Sequence, residues 1–136
     1  MKKLLSISVF SFMAFFMFSC GGGSTPKAVA EQAVKCIQSQ DYKGYIDLTN
    51  LNDNENMTSE EKEKSKEQLA LLLEDKGKKE YDRKQGIKDY EINDETIDGD
   101  KATVKVKIIY GNGEEKEETM SLVKNKDGKW RIPLNK

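Results

Sequence analysis

The hydrophobic period of this chain changes once, and that change limits the folds open to it. From Thr25 to Gly77 the apolar residues recur at helical spacing; from Ile87 onwards they alternate with polar ones. All helices therefore come before all strands. Helices gathered on one side of an antiparallel sheet make an α+β domain.

Thr25-Pro26 opens the first helix, since Thr caps well and Pro is tolerated at the first helical position. Val29, Ala33, Cys36 and Ile37 share one face of it, which predicts a buried, inert Cys36 thiol. Asp41-Tyr42 makes a break, and Lys43 to Leu48 reads as a short second helix that packs through Tyr45, Ile46 and Leu48. The run TNLNDNENMTSEE is a polar loop. Thr58 and Glu61 have the spacing of a capping box, which starts a third helix from Ser59 to about Lys76, closed by Gly77. Its first half, SEEKEKSKEQ, has no apolar residue and reads as a solvated arm; Leu69, Leu72 and Leu73 dock the second half.

Tyr90 and Ile92 begin the alternation, and Ile97 falls out of phase with them, which predicts a bulge near Asp94-Glu95. Ala102, Val104, Val106, Ile108 and Tyr110 form the clearest strand. It lies between the turns Asp98-Gly99-Asp100 and Gly111-Asn112-Gly113. Glu114 to Val123 follows with Met120 and Leu122 on one face. After the turn Asn125 to Gly128, Trp130, Ile132 and Leu134 alternate, and Pro133 places that stretch at an edge or a strand end. The expectation is a four-stranded antiparallel meander.

The N-terminus carries an address. Lys2 and Lys3 precede an apolar run from Leu4 to Phe18, too short for the roughly 20 residues of a spanning helix and suited to a secretory leader. Met17-Phe18-Ser19-Cys20 resembles the lipobox of bacterial lipoproteins, with small Ser19 before the cysteine. The resemblance implies that residues 1–19 are a lipoprotein signal peptide and that Cys20 becomes the acylated (palmitate-bearing) N-terminus. Residues 20–24, through Gly21-Gly22-Gly23-Ser24, then form a flexible tether. Residues 25–136 are one domain. Gly21 stands where Asp marks inner-membrane retention in some groups, so the address leans to the outer membrane, facing the periplasm.

Composition excludes several chemistries. The chain has no histidine, which removes Ser-His-Asp triads, Cys-His pairs and His-ligated zinc. Acylation of Cys20 leaves Cys36 without a disulfide partner. Loss of Lys2 and Lys3 with the leader takes the net charge of −1 only slightly more negative, and Arg83 and Arg131 are the only arginines, so nucleic acid is not an expected partner. No metal or cofactor is expected.

The start STPKAVAEQAVKCIQSQDYKGYIDL and the turn Asp127-Gly128-Lys129-Trp130 resemble a family of small bacterial lipoproteins of unknown function. That family has the cone-shaped fold of the nuclear-transport-factor-two, SnoaL and ketosteroid-isomerase superfamily. The resemblance implies helices packed on a curved four-stranded antiparallel sheet, with a cavity at the cone's mouth. Tyr45, Tyr81, Tyr110 and Trp130 are the aromatic candidates for that mouth, and Asp47, Asp94 and Asp98 the acids an enzyme might use; no catalytic motif matches. The expected function is a membrane-anchored periplasmic binding or accessory domain for a small ligand or an envelope protein. The alternatives are a small-substrate enzyme with a cavity carboxylate, and an envelope interaction module using the charged third helix.

Overall fold

The computed structural model describes residues 25–134. Helix α1 spans Pro26–Gln38, α2 Tyr42–Asp47 and α3 Ser59–Arg83, with a 3-10 turn at Asn50–Asp53 between the last two. Strands β1 (Ile87–Asp98), β2 (Lys101–Tyr110), β3 (Glu115–Lys124) and β4 (Trp130–Arg131) follow, and the sheet order β1-β2-β3-β4 is an antiparallel meander. Fold class and element order agree with the reading of the period change.

Local chemistry sets each boundary. Thr25 Oγ1 accepts the Ala28 N–H at 3.1 Å and caps α1. Asp41 caps α2 through Gly44 N–H. The Thr58–Glu61 capping box is complete: Thr58 Oγ1 accepts from Glu61 N–H at 3.2 Å, and Glu61 Oε2 from Thr58 N–H at 2.8 Å.

Gly77 does not close α3, contrary to expectation. The helix runs through it, and the missing side chain makes room for Tyr42: a Cβ there would sit 2.9 Å from the Tyr42 hydroxyl oxygen. The helix ends at Lys84, where Gln85 (φ 60°) and Gly86 (φ 74°) turn left-handed and the Gly86 N–H donates back to Tyr81 O at 2.8 Å.

The main core lies between α1 and the sheet. Val29, Ala30, Ala33 and Val34 meet Val104, Val106, Leu122, Trp130 and Ile132. Ala30 and Val34 lead this face, while Cys36 is only half-buried at its edge; the expected full burial of Cys36 is corrected accordingly. Burial still pushes its thiol pKa up. A second, smaller cluster joins Ile46 of α2, Leu51 of the 3-10 turn and Ala70 of α3, with Tyr42, Met57, Leu69 and Leu73 around it. Leu72, expected to dock, is exposed, and so is Leu71; Ala70 takes the inward position.

The predicted bulge is present as a register shift between Ile92 and Glu95, and it brings Glu95 beneath α1, where Glu95 Oε2 accepts the Lys27 N–H at 3.0 Å. The end of the sheet departs from expectation. β4 pairs with β3 only through Arg131 opposite Val123 and Trp130 opposite Lys124. Ile132 then leaves β3: its N–H donates to Leu48 O at 2.8 Å, and its carbonyl accepts from Asn50 N–H at 3.0 Å. Trp130 and Ile132 are buried as read, whereas Leu134 is 37% exposed.

Candidate functional site

The space between α1 and the sheet is filled by side chains. Val29, Val34, Val104, Val106 and Leu122 are almost completely removed from solvent. Thr49 is the one polar residue buried among those described, and its hydroxyl donates to Ile46 O at 2.6 Å.

The four aromatic candidates do not converge on one pocket. Tyr45 packs against the main core, and burial first, then the nearby Glu118 carboxylate, raises its phenol pKa. Trp130 is a core residue with the Lys124 ammonium 5.1 Å above its ring. Tyr81 and Tyr110 lie instead at the junction of α3 and β1, each with its own partners. Tyr81 donates its hydroxyl to Gln38 O at 2.9 Å, and Lys84 Nζ lies 4.4 Å from the Tyr110 ring centroid. The β2–β3 turn docks on the same junction: Gly111 N–H donates to Gly86 O and Asn112 N–H to Lys84 O.

The three acids are also dispersed. Asp47 pairs with Lys66 at 2.6 Å on the α2–α3 surface. Asp94 lines a groove beside the β1 bulge, and Asp98 is exposed at the β1–β2 turn. Glu80 and Glu114 have lowered pKa values, held down by hydrogen bonds from Arg83 and from Lys84 respectively, and both lie on the surface. Among the described residues, no group of His, Cys, Asp and Glu side chains is placed to hold a metal ion. Cys20, the expected lipid-attachment residue, lies outside the described residues.

What remains open is surface, and sequence reasoning did not single it out. A cleft of about 730 Å³ lies between the 3-10 turn and the β3–β4 turn, lined by Asn52, Asn54, Asn56 and Asp127 among others. Within its lining Asn125 Nδ2 donates to Asp53 Oδ1 at 3.1 Å, and Asp53 also pairs with Arg131 at 3.4 Å. A groove of about 540 Å³ includes Asn93, Asp94, Lys105, Glu117 and Thr119. Lys105 and Thr119 are opposite each other, one step out of phase with the buried Val104 and Val106, so this groove lies on the sheet face away from α1. The only sequence signal for it was the predicted bulge. Finally, β3 has little cover on its outer side, because β4 is two residues long.

Residues 18–133 match the domain of unknown function DUF4878. The chain belongs to this family. The DUF4878 domain is similar in structure to a Campylobacter jejuni protein whose provisional description is NTF2-like transpeptidase, known from a crystal structure at 2.00 Å resolution. The two are 24% identical with a TM-score of 0.64, and the match covers 82% of this chain and 99% of that one. Likeness at that level shows the fold: the DUF4878 domain has the NTF2-like architecture of helices followed by a four-stranded antiparallel sheet, as its motifs implied. No curated protein shows significant similarity to the sequence.

Proposed function

We propose that this DUF4878 chain is a lipid-anchored accessory domain of the bacterial envelope, attached through Cys20 and facing the periplasm, that binds its partner on an open surface. The observation that carries the binding half of this reading is the filled interior. The α1–sheet space is occupied by Val29, Val34, Val104, Val106 and Leu122, and Thr49 is the one buried polar residue among those described. A site for small-substrate catalysis by a carboxylate calls for an acid facing an apolar cavity; Asp47, Asp94 and Asp98 instead lie at the surface. The anchoring half is supported by the basic, apolar and small-residue order from Lys2 to Cys20 and by the glycine run after it.

Two measurements test the reading. Fatty-acid labelling and membrane fractionation should be positive for the wild type and lost in Cys20→Ala; a variant still labelled and membrane-bound overturns the anchor. Native mass spectrometry of the protein extracted from its own membrane should show no small molecule of defined mass held in the fold. A stoichiometric small ligand overturns the surface-binding half.

A further inference from the structure

Strand β3 is ten residues long, yet its outer side is paired only at Val123 and Lys124. The Lys124 N–H donates to Asp100 O at 2.7 Å, on the β2 side, whereas the Asn125 N–H donates to Lys129 O at 2.8 Å, on the β4 side. Alternation along the strand then turns the backbone N–H and C=O of Glu115, Glu117, Thr119 and Ser121 away from β2. Among the described residues no strand or loop backbone meets these groups. Such an edge is a template for an added strand.

The edge is also acidic. Glu114, Glu115, Glu117 and Glu118 surround the single Lys116. Glu115 pairs with Lys107 at 3.2 Å, Glu118 with Lys116 at 2.6 Å and Glu114 with Lys84 at 3.0 Å, while Glu117 has no ion-pair partner among the described residues. Glu117 and Thr119 also line the 540 Å³ groove on the outer sheet face, so the groove runs out to this edge. On the other face the edge presents Glu118 and half-buried Met120.

We propose that the free edge of β3, Glu115–Ser121, binds an extended, basic segment of a partner protein, added antiparallel in line with β4. The edge residues span roughly 20 Å, the length of an ordinary strand. Alternate side chains of the added segment point to opposite faces: basic ones meet Glu117 and the groove, apolar ones meet Met120. A second copy of this chain is a poor occupant, because pairing the whole free edge antiparallel with itself sets Glu118 directly opposite Glu118 and brings two acidic strands together. This inference deepens the surface-binding reading by naming the partner's chemistry, and it does not depend on the lipid anchor.

The test uses the full-length chain in mild detergent, with wild-type Cys20 and with Cys20→Ala, and a nine-residue peptide of alternating Lys and Val. Both proteins should bind the peptide, and amide exchange should slow at Glu117, Thr119 and Ser121. A Glu-Val peptide, and a Lys-Val peptide N-methylated at alternate residues, should each bind at least about tenfold more weakly, the equivalent of about one lost backbone hydrogen bond or more. Glu117→Lys should weaken binding similarly. Thr119→Pro, which removes one edge N–H at a position where an edge strand tolerates proline, should do the same while circular dichroism stays unchanged. Equal binding of the N-methylated or the acidic peptide, protection confined to α3, or no binding at millimolar peptide overturns the proposal. So does concentration-dependent dimerisation that Glu117→Lys abolishes. A failed peptide test leaves the Cys20 labelling result standing, and a failed labelling test leaves the peptide result standing.

Discussion

Helices α1 and α3 are held by different physics. α1 has 13 residues, and five of them are buried: Pro26, Val29, Ala30, Ala33 and Val34. α3 has 25 residues and buries only Ala70. α1 lies along the sheet and contributes Val29, Ala30, Ala33 and Val34 to the main core, where each fully buried valine stabilises the fold by about 1.5–3 kcal/mol. α3 packs on α2 and the 3-10 turn through the thin stripe of Leu69, Ala70 and Leu73. Its remaining support is polar: the capping box, the Lys79–Asp75 and Arg83–Glu80 pairs and the turn at Gly86 within the helix, and the Lys66–Asp47 pair and the Tyr81–Gln38 hydrogen bond to its neighbours. Surface pairs of this kind contribute only tenths of a kcal/mol each. Stability should therefore be uneven across this domain, with α1 and β2 opening only in global unfolding and the first half of α3 opening alone. Hydrogen exchange by NMR checks this directly; equal protection in α1 and in residues 59–68 would erase the distinction.

Substitutions sharpen the contrast from its strong end to its weak one. Trp130→Ala removes a buried aromatic from the α1–sheet core and should cost about 3–5 kcal/mol, a large part of the 5–15 kcal/mol typical of a domain. Urea melts check it; a wild-type midpoint would mean that Trp130 is not part of the core.

Gly111→Ala should come next, at about 1–3 kcal/mol, the usual cost of overpacking. A Cβ at Gly111 would overlap the Gln85 carbonyl oxygen, so the β2–β3 turn would have to leave the C-terminal end of α3. Asn112 should then lose amide protection, because its N–H donates to Lys84 O. Thr58→Ala should cost about 1 kcal/mol through the lost cap, with the extra exchange confined to the start of α3. Lys64→Ala on the solvated arm should shift the midpoint by less than about 0.5 kcal/mol.

Acid has the smallest predicted effect, with a defined sign. The Lys84 hydrogen bond lowers the Glu114 pKa, so the contribution of that pair is present above the ordinary carboxylate range and is lost as pH falls through the lowered value. Thermal melts taken from pH 6 to pH 3 should show a slightly smaller acid loss for Glu114→Gln than for wild type. An identical loss would mean that the pair does not hold the β2–β3 turn to α3.

Features set by neighbouring residues were legible in the sequence. The switch of period at Ile87, the Thr25 and Thr58 caps, and the bulge after Ile92 all depend on a few adjacent side chains, and all are in the structure. Features decided by distant contacts were not. Gly77 looks like a helix stop until Tyr42 is seen against it. Leu72 has the spacing of a docking residue, but the narrow face offered by α2 is filled by Leu69, Ala70 and Leu73. The free edge of β3 was hidden for the same reason. Trp130, Ile132 and Leu134 alternate like a full strand, yet Leu48 and Asn50 take the backbone groups of Ile132, and β4 stops after two residues. The expected mouth aromatics Tyr81 and Tyr110 became part of a junction because the β2–β3 turn docks on α3, a contact no local pattern announces.

The tie between Ile132 and the Leu48–Asn50 segment also bears on how the protein is made. Synthesis runs from the N-terminus, so α1 and α2 emerge long before the residues that seal them. Until Trp130 and Ile132 are added, α1 has no complete surface to cover and the Leu48–Asn50 segment has no backbone hydrogen bond to the end of the sheet. A nascent chain of this design stays open through almost the whole of its translation. It then closes within the last few residues of the described fold.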